Sequence, residues 1–312
     1  MRERDIVGAT VQRIVSLLPS TTEMACLLGL RDRLVGISHE CDFPDPVRGL
    51  PVLTAPKVDP KARSAEIDRQ VREVVASGLS VYRIDEEKLR ALRPDLILTQ
   101  DACAVCAVSF AEVEAAARKL LGRNVEIVSL SPLRLEDVLR DVLRVAEAAG
   151  VGERGIEAVA GLRARLEQVR ARAASARRPR VLALEWMDPP MPAGHWTPEL
   201  IRIAGGEPVL GREGVPTART EWDRIREAAP EVLLVIPCGF KIPQTLREMP
   251  ALVERLSATP AVRSGRVHVA DGNAFFNRPG PRLVESAEIA LAAIHPEIAG
   301  RAFEGDLVTF PR

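Results

Sequence analysis

The sequence predicts an α/β protein with two lobes, each built on a parallel β-sheet. Three observations lead to this prediction: strand and helix patterns alternate in both halves, one motif occurs twice, and the middle has no strand pattern. The repeated motif reads Arg93-Pro94-Asp95-Leu96-Ile97-Leu98 in the first half and Ala229-Pro230-Glu231-Val232-Leu233-Leu234 in the second. In both copies a proline and an acid precede an apolar run of strand length.

The composition is that of a globular protein large enough for two domains. Its 312 residues are 46% apolar and 28% charged. The 43 basic and 43 acidic residues balance, so the overall charge favours neither nucleic acid nor an anionic membrane as a partner. No apolar stretch approaches the roughly 18 residues of a membrane-spanning helix, which predicts no membrane insertion.

No targeting segment is visible in the sequence. Residues 1–5 include acids where a secretory signal carries basic charge, and the apolar run at 14–18 is short and ends at Pro19. An odd count of 5 cysteines argues against a secreted disulfide framework. We therefore expect a cytoplasmic protein with reduced thiols. A periplasmic or surface-anchored location is the alternative if the coding start lies upstream.

The first lobe is predicted to occupy residues 1–135. Buried-strand patterns occur at 13–18, 34–37, 96–98 and 125–128. Ser20 and Glu23 form a capping box that predicts the start of a helix, and Gly29 predicts its end. Further helix patterns cover 64–77, a segment that ends at 89–92, and 109–121.

The middle of the chain, residues 136–177, is predicted to be helical. Its pattern is broken near Gly150 to Gly155. The later part has few apolar positions and four arginines: Arg163, Arg165, Arg170 and Arg172. Two interpretations compete, a solvated basic face and a spine that joins the lobes. The spine explains better why no strand interrupts the segment.

The second lobe is predicted for residues 178–312. Strand patterns occur at 181–184, 232–236 and 266–270, and they alternate with helix patterns at 197–203, 242–255 and 282–293. Ligands of such folds bind beyond the carboxyl ends of the parallel strands, so residues that follow strands are the candidates for a site. The sequence contains no glycine-rich phosphate loop and no nucleophile elbow, which disfavours nucleotide binding and hydrolysis.

Donor side chains follow the strands of the first lobe. His39, Glu40 and Cys41 come directly after the second strand. Imidazole is a usual ligand of cobalt, iron and zinc, so His39 is a candidate axial ligand; the alternative is a loop histidine with local hydrogen bonds.

Cys103 and Cys106 form a C-x-x-C that opens a predicted helix, where terminal amides stabilise a thiolate. Four interpretations stay open. They are a redox disulfide without a thioredoxin-like context, a zinc site completed by Cys41, His39 or His195, contact with a bound cofactor, and small buried residues at a tight junction.

Aromatic residues are scarce, at 4%, yet they gather after two strands of the second lobe. The candidates for ligand contact are Trp186, His195, Trp196, Phe275, Phe276 and Arg278. Flat rings suit a flat macrocycle, and an arginine suits a carboxylate, amide or phosphate group of the ligand. Packing between the lobes is the competing interpretation. Three other residues are interpreted as core, rim or structural: Trp222, His268 and His295.

Several motifs together resemble the helical-backbone, or class III, substrate-binding proteins of ABC transporters. In chain order they are Pro19-Ser20-Thr21-Thr22-Glu23 before Leu28-Gly29, Val35-Gly36-Ile37-Ser38, Arg93-Pro94-Asp95-Leu96-Ile97, Pro189-Pro190 with Ala193-Gly194, Ala204-Gly205-Gly206, and Pro281-Arg282-Leu283. The last three match the vitamin B12-binding branch, and a non-exported, cobalamin-binding-like group is the most similar. The resemblance covers about residues 11–295. It implies two Rossmann-like lobes, a single long backbone helix and a ligand held between the lobes.

The resemblance also implies particular roles for single residues. Glu87 and approximately Asp223 align with the acids that dock such proteins on a permease. Glu40 stands where the B12 proteins have a corrin-contacting tyrosine, and Val81-Tyr82 stands where they have a tryptophan.

The function that we expect is binding of cobalamin or a related corrinoid by a monomer, without catalysis. Two alternatives stay open. One is a thiol- or metal-dependent enzyme, or a metal-handling protein, that uses Cys103 and Cys106 with His39 and Cys41 to hold zinc or iron. The other is the haem-binding or iron–siderophore-binding component of an ABC uptake system.

Overall fold

The structure is a computed structural model that describes residues 11–76, 82–100, 125–300 and 303–311. The chain divides into two compact units. Unit 1 contains the described residues of 1–57, 78–131 and 139–160, and unit 2 contains those of 58–77, 132–138 and 161–312. The predicted lobes divide the chain at other points, chiefly because 58–77 belongs to unit 2.

Unit 1 is built on a four-stranded parallel sheet. Its strands are β1 (Ile14–Ser16), β2 (Leu34–Ile37), β5 (Leu96–Gln100) and β6 (Glu126–Leu130), and a separate antiparallel pair consists of β3 (Thr54–Pro56) and β4 (Tyr82–Ile84). The order in the sheet is β2-β1-β5-β6. The central strands β1 and β5 are buried along their whole length, which explains their largely apolar sequences.

Unit 2 is built on a six-stranded mixed sheet. Its strands are β7 (Arg180–Trp186), β8 (Met191–Pro192), β9 (Glu207–Pro208), β10 (Val232–Val235), β11 (Val267–Ala270) and β12 (Leu307–Thr309). The order is β12-β11-β10-β7-β8, and β9 pairs with β7. The predicted parallel strands β7, β10 and β11 are confirmed, whereas the antiparallel strands β8 and β12 were not predicted.

Both units also contain helices. In the described part of the chain they are α1 (Pro19–Leu27), α2 (Ser64–Ala76), α3 (Glu86–Leu92), α4 (Leu135–Ala148), α5 (Gly152–Ala173), α6 (Thr197–Ile203), α7 (Trp222–Glu227), α8 (Ile242–Leu246), α9 (Met249–Arg255), α10 (Pro260–Ser264) and α11 (Leu283–Ile294). The helix predicted over 109–121 lies outside the described residues. Of the helices just named, none has the length and apolar character needed to cross a bilayer.

Two predicted helix boundaries are wrong, and proline explains both. Ser20 is not the N-cap of α1, because Leu18 holds that position in an extended conformation and Pro19 begins the helix. Proline suits the first turn because its φ is already helical and the N–H that it lacks has no partner there. The helix predicted over 242–255 is two helices, and Pro250 lies in the first turn of the second.

The repeated proline–acid motif has the same structural role in both units. The residues before the two prolines both adopt a left-handed conformation, with φ of 45° and 42°. The acid that follows then binds the start of a neighbouring strand: Asp95 Oδ2 accepts from the N–H of Arg13 at 3.1 Å, and Glu231 Oε2 accepts from the N–H of Arg180 at 2.9 Å. In each unit, the repeated motif therefore provides one hydrogen-bonded connection between two adjacent parallel strands.

The boundary between the two units falls within α5, between residues 160 and 161, so α5 is the predicted backbone helix. Arg163, Arg165 and Arg170 form ion pairs, and Arg172 donates to the carbonyl of Ala299 at 2.8 Å, so these arginines are not a free basic face. Arg163 pairs with Glu136 at 2.6 Å. Arg165 pairs with Glu285 at 3.0 Å and with Glu288 at 2.9 Å, both on α11.

Two glycines of α5 should respond oppositely to an added methyl group. A Cβ on Gly155 would come within 2.5 Å of the Cβ of Ala146, whereas nothing lies within 4 Å of a Cβ on Gly161. We expect Gly155→Ala to lower the free energy of unfolding by about 1–3 kcal/mol through overpacking. Gly161→Ala should raise it by about 0.5–1 kcal/mol, because glycine is entropically costly inside a helix. Urea unfolding followed by circular dichroism measures both, and changes of the same sign would contradict the expectation.

The helix α2 lies in unit 2, where one carboxylate holds its first residue. Glu248 accepts two hydrogen bonds from Ser64, from the backbone N–H at 2.9 Å and from the hydroxyl at 2.5 Å. Asp68, one turn further along, forms an ion pair with Arg219 at 2.6 Å. Because the first amides of a helix lack partners within the helix, Glu248 acts as its cap.

Removal of this cap should loosen α2 selectively. We expect Glu248→Ala to lower the opening free energy of the α2 amides by about 2 kcal/mol, since two hydrogen bonds to a charged group are lost. Hydrogen–deuterium exchange with mass spectrometry measures this on peptides from 58–76. Glu254→Ala is the control, because Glu254 lies exposed on α9, the helix that follows Glu248 directly. Equal exchange in the two variants would show that Glu248 does not anchor α2.

Candidate functional site

His39 lies two residues beyond the end of β2 and is half-buried. Its side chain contacts the hydroxyl of Thr54, which is 2.7 Å from Nδ1, and the same oxygen accepts the backbone N–H of His39 at 3.0 Å. Burial lowers the pKa of His39 below its ordinary value of 6.5. The imidazole is therefore neutral at pH 7.

Backbone pairing beside β2 places Thr54 next to His39. Ile37, the last residue of β2, donates to the carbonyl of Pro51 and accepts from the N–H of Leu53, both at 2.9 Å. The chain from Pro51 to Leu53 thus runs alongside the end of the strand and delivers Thr54 to the loop of His39. Sequence reasoning missed Thr54, because no spacing rule connects the two positions.

Tyr82 and Glu40 complete this polar group in unit 1. The rings of Tyr82 and His39 lie 5.1 Å apart, with an angle of 53° between their planes. The hydroxyl of Tyr82 donates to Glu40 Oε1 at 2.8 Å. Glu40, predicted to contact the ligand, is half-buried and bonded to an aromatic residue of β4.

The Nε2 atom of His39 makes no hydrogen bond to any residue that the structure describes. His268 and His295, which were interpreted as structural, differ from it. His268 Nδ1 lies 3.1 Å from Thr309 Oγ1, and His295 contacts the carbonyl of Gly205 and the carboxylate of Glu297. The available nitrogen of His39 is what a ligand-binding histidine requires.

Cys41, one of the predicted cysteine donors, differs from His39 in environment. Cys41 is buried, and its Sγ lies 3.1 Å from the hydroxyl of Thr22, which in turn donates to Ser16 at 2.7 Å. Cys103 and Cys106 lie outside the described residues. Within 11–76, 82–100, 125–300 and 303–311, no group of three or more histidines, cysteines or acids is arranged to hold a metal ion.

Unit 2 carries a second half-buried imidazole, His195. A left-handed conformation (φ of 52°) and two backbone hydrogen bonds fix this residue: its N–H donates to Val215 at 2.7 Å and its carbonyl accepts from Gly214 at 2.8 Å. Its ring lies 5.2 Å from that of Trp196. Burial lowers the pKa of His195, and neither ring nitrogen bonds to a described residue.

The aromatic candidates of unit 2 separate into half-buried and buried residues. Trp186 is half-buried and meets Phe240 edge to face at 5.3 Å. Trp196 is buried and donates from its indole N–H to the carbonyl of Phe276 at 2.6 Å. The remaining candidates of that loop, Phe275, Phe276 and Arg278, are also buried.

The two acids predicted to dock a permease are both exposed. Glu87 lies in the first turn of α3, and Asp223 lies in the first turn of α7, where it pairs with Arg226. Trp222 beside it is half-buried, with the Arg255 guanidinium 5.1 Å above its ring.

Comparison with known proteins gives the family. A model described as periplasmic binding protein matches residues 14–274. The chain belongs to the periplasmic binding protein family. It is 24% identical over 281 residues to the vitamin B12-binding protein of Yersinia pseudotuberculosis serotype O:3 (strain YPIII), covering 89% of this chain and 84% of that protein.

Solved structures of periplasmic proteins share the fold. The vitamin B12 binding protein BtuF of Vibrio cholerae gives a TM-score of 0.65 at 22% identity, covering 94% of this chain and 99% of the other. A heme binding protein from Pseudomonas aeruginosa gives 0.71 at 20% identity, covering 97% and 100%. The predicted family and two-lobed fold class are confirmed.

Periplasmic binding proteins bind a small molecule and deliver it to an ABC permease; they are not enzymes. The chain is therefore a binding protein, as predicted. The cytoplasmic location expected from the sequence is not supported by these relatives, because the family and the solved structures are periplasmic.

Proposed function

We propose that this protein binds cobalamin or a related corrinoid through its metal centre and delivers it to an ABC permease. The observation that carries the proposal is the Nε2 atom of His39, which is half-buried, neutral and without a hydrogen bond to any described residue. Such a nitrogen offers the lone pair that cobalt or iron takes from a protein. Similarity to vitamin B12-binding proteins favours a corrinoid among the metal complexes.

In this proposal, side chains of unit 2 contribute aromatic and imidazole ring faces for contact with the ligand. Trp186 and His195 are half-buried and suit contact with a macrocycle. Trp196 and Phe276 are buried and bonded to one another, so we propose that they support the loop of His195. The other predicted contacts remain predictions: Glu40, Cys41, Cys103, Cys106, Phe275 and Arg278.

Titration with hydroxocobalamin tests the proposal. Its exchangeable axial position allows an imidazole to replace the bound water or hydroxide, so we expect a change in the visible spectrum and retention of the corrinoid through gel filtration. Cyanocobalamin is the matched ligand, because cyanide fills that position; it should bind more weakly and without the spectral change. Absence of any binding at high micromolar protein would overturn the proposal.

Haem is the second candidate ligand, since imidazole also ligates iron and the heme binding protein of Pseudomonas aeruginosa shares the fold. A parallel titration with haemin separates the two. A Soret shift with haemin, together with no response to either cobalamin, would assign the protein to haem.

We further propose that Glu87 and Asp223 dock the protein on the permease at the periplasmic face of the membrane. The expected result of reversing both charges, with Glu87→Lys and Asp223→Lys, is unchanged ligand affinity and strongly reduced uptake in cells, because like charges oppose docking. Isothermal titration and transport of labelled ligand measure the two quantities. Glu227→Lys on α7 is the control, since it changes an exposed charge of the same helix. If Glu227→Lys reduced uptake to the same extent, Glu87 and Asp223 would have no specific role in docking.

A further inference from the structure

The hydroxyl of Thr54 is the centre of a small hydrogen-bond network in unit 1. It is buried, with 7% exposure, and so is its neighbour Ser38, with 4%. Thr54 donates its proton to Ser38 Oγ at 3.0 Å. It accepts the backbone N–H of His39 at 3.0 Å and contacts the ring Nδ1 at 2.7 Å.

The hydrogen-bonding capacity of one hydroxyl fixes the state of the ring. A threonine hydroxyl has one proton and two lone pairs. In this network the proton goes to Ser38 and one lone pair takes the N–H of His39. The remaining lone pair faces Nδ1, so the contact is a hydrogen bond only if Nδ1 carries a proton. In a neutral imidazole the other nitrogen, Nε2, is then unprotonated.

We propose that Thr54 is a positioning residue: it holds His39 as the Nδ1–H tautomer and so presents the Nε2 lone pair to the metal of the bound ligand. The part that concerns the ligand rests on the proposed function, whereas the tautomer is a property of the free protein. Groups that orient a metal-binding histidine through its second nitrogen commonly raise its affinity for the metal. Here a neutral hydroxyl serves that purpose, and the carboxylate of the adjacent Glu40 accepts a hydrogen bond from Tyr82.

Nitrogen-15 NMR of protein labelled at histidine tests the tautomer without any ligand. The chain has 4 histidines, so the spectrum is simple, and a His39→Gln variant assigns the signals of His39. At neutral pH we expect Nδ1 of His39 at the shift of a protonated nitrogen and Nε2 at that of an unprotonated one. A reversed pattern would overturn the inference.

Two substitutions separate positioning from structure. Thr54→Val keeps the branched shape but removes the hydroxyl, and the ring should then populate the Nε2–H tautomer. Thr54→Ser keeps the hydroxyl and should restore the wild-type pattern. Thermal melts establish that each variant is folded; if Thr54→Val does not fold, the wild-type spectrum still decides whether His39 is the Nδ1–H tautomer. An unchanged tautomer in folded Thr54→Val would overturn the inference.

Ligand binding gives the second readout. Thr54→Val should weaken hydroxocobalamin binding by about 10–100-fold, the usual cost of losing such an orienting group, and Thr54→Ser should restore it. Wild-type protein with the Nδ1–H tautomer but no affinity for cobalamins or haemin would overturn the proposed function and leave the role of Thr54 in the free protein intact. Equal affinity of the valine variant and wild type would overturn the positioning role itself.

Discussion

His39→Ala is expected to abolish the spectral change that hydroxocobalamin undergoes on binding, and to weaken binding by more than about 100-fold. The physical reason is the loss of the ligating nitrogen itself, which costs more than the roughly 10–100-fold that accompanies loss of an orienting neighbour. Absorbance titration and equilibrium dialysis measure the two effects.

His195→Ala is the matched control, because His195 is also half-buried with a lowered pKa and no hydrogen bond from its ring to a described residue. If His39 binds the metal, the His195→Ala variant keeps the spectral change. It loses only the affinity that contact between His195 and the ligand contributes. The reverse result, with the spectral change lost in His195→Ala and kept in His39→Ala, would move the metal ligand to unit 2.

The pH dependence of binding follows from the lowered pKa of His39. A proton on Nε2 competes with the metal, so affinity falls as the pH drops through the pKa of the folded protein. Burial places that pKa below 6.5, because it disfavours the charged ring. We therefore expect a plot of log affinity against pH to bend below pH 6.5. Titrations from about pH 5 to about pH 7 check it; a bend at or above pH 6.5 would contradict a buried, neutral ligand.

The strands were predictable because each central strand carries its own signal. A strand covered on both faces is apolar throughout, so Leu96 to Leu98 and Val232 to Val235 are recognisable without knowledge of their neighbours. The proline–acid motif was equally local, since Asp95 and Glu231 act on the strand beside them. The edge strands β8 and β12 were not predicted, because they are short and only partly buried and so carry neither a periodic pattern nor a continuous apolar run.

The surroundings of His39 were not predictable in this way. Thr54 lies 15 residues along the chain from His39, and Tyr82 lies 42 residues from Glu40, so only the folded chain brings them together. The sequence could identify a candidate site residue, but it could not predict how deeply that residue is buried. Trp186 and Trp196 flank the same proline-rich loop in the sequence, yet Trp186 is half-buried and Trp196 is buried.

Gly272→Ala is expected to cause the largest loss of stability among the substitutions proposed for unit 2. Gly272 follows β11, and a Cβ there would lie 2.0 Å from the carbonyl oxygen of Pro237 and 2.8 Å from the carbonyl carbon of Ile236. Both are backbone atoms next to β10, which have no rotamer that relieves the clash. We expect the free energy of unfolding to fall by about 3 kcal/mol or more, at the upper end of overpacking costs.

The same substitution should also weaken ligand binding, because the loop after Gly272 supports the aromatic residues. Asn277 donates to the carbonyls of Ile236 and Gly272, each at 2.9 Å, and Phe276 accepts the indole N–H of Trp196. Gly239→Ala is the control: its φ is 75°, but nothing lies within 4 Å of the added carbon, so backbone strain of about 1–2 kcal/mol is its whole cost. Urea unfolding followed by tryptophan fluorescence compares the two. If the two variants were equally stable, β10 and the loop after β11 would have to separate at little cost in free energy. That loop would then not be what holds Trp196 in place.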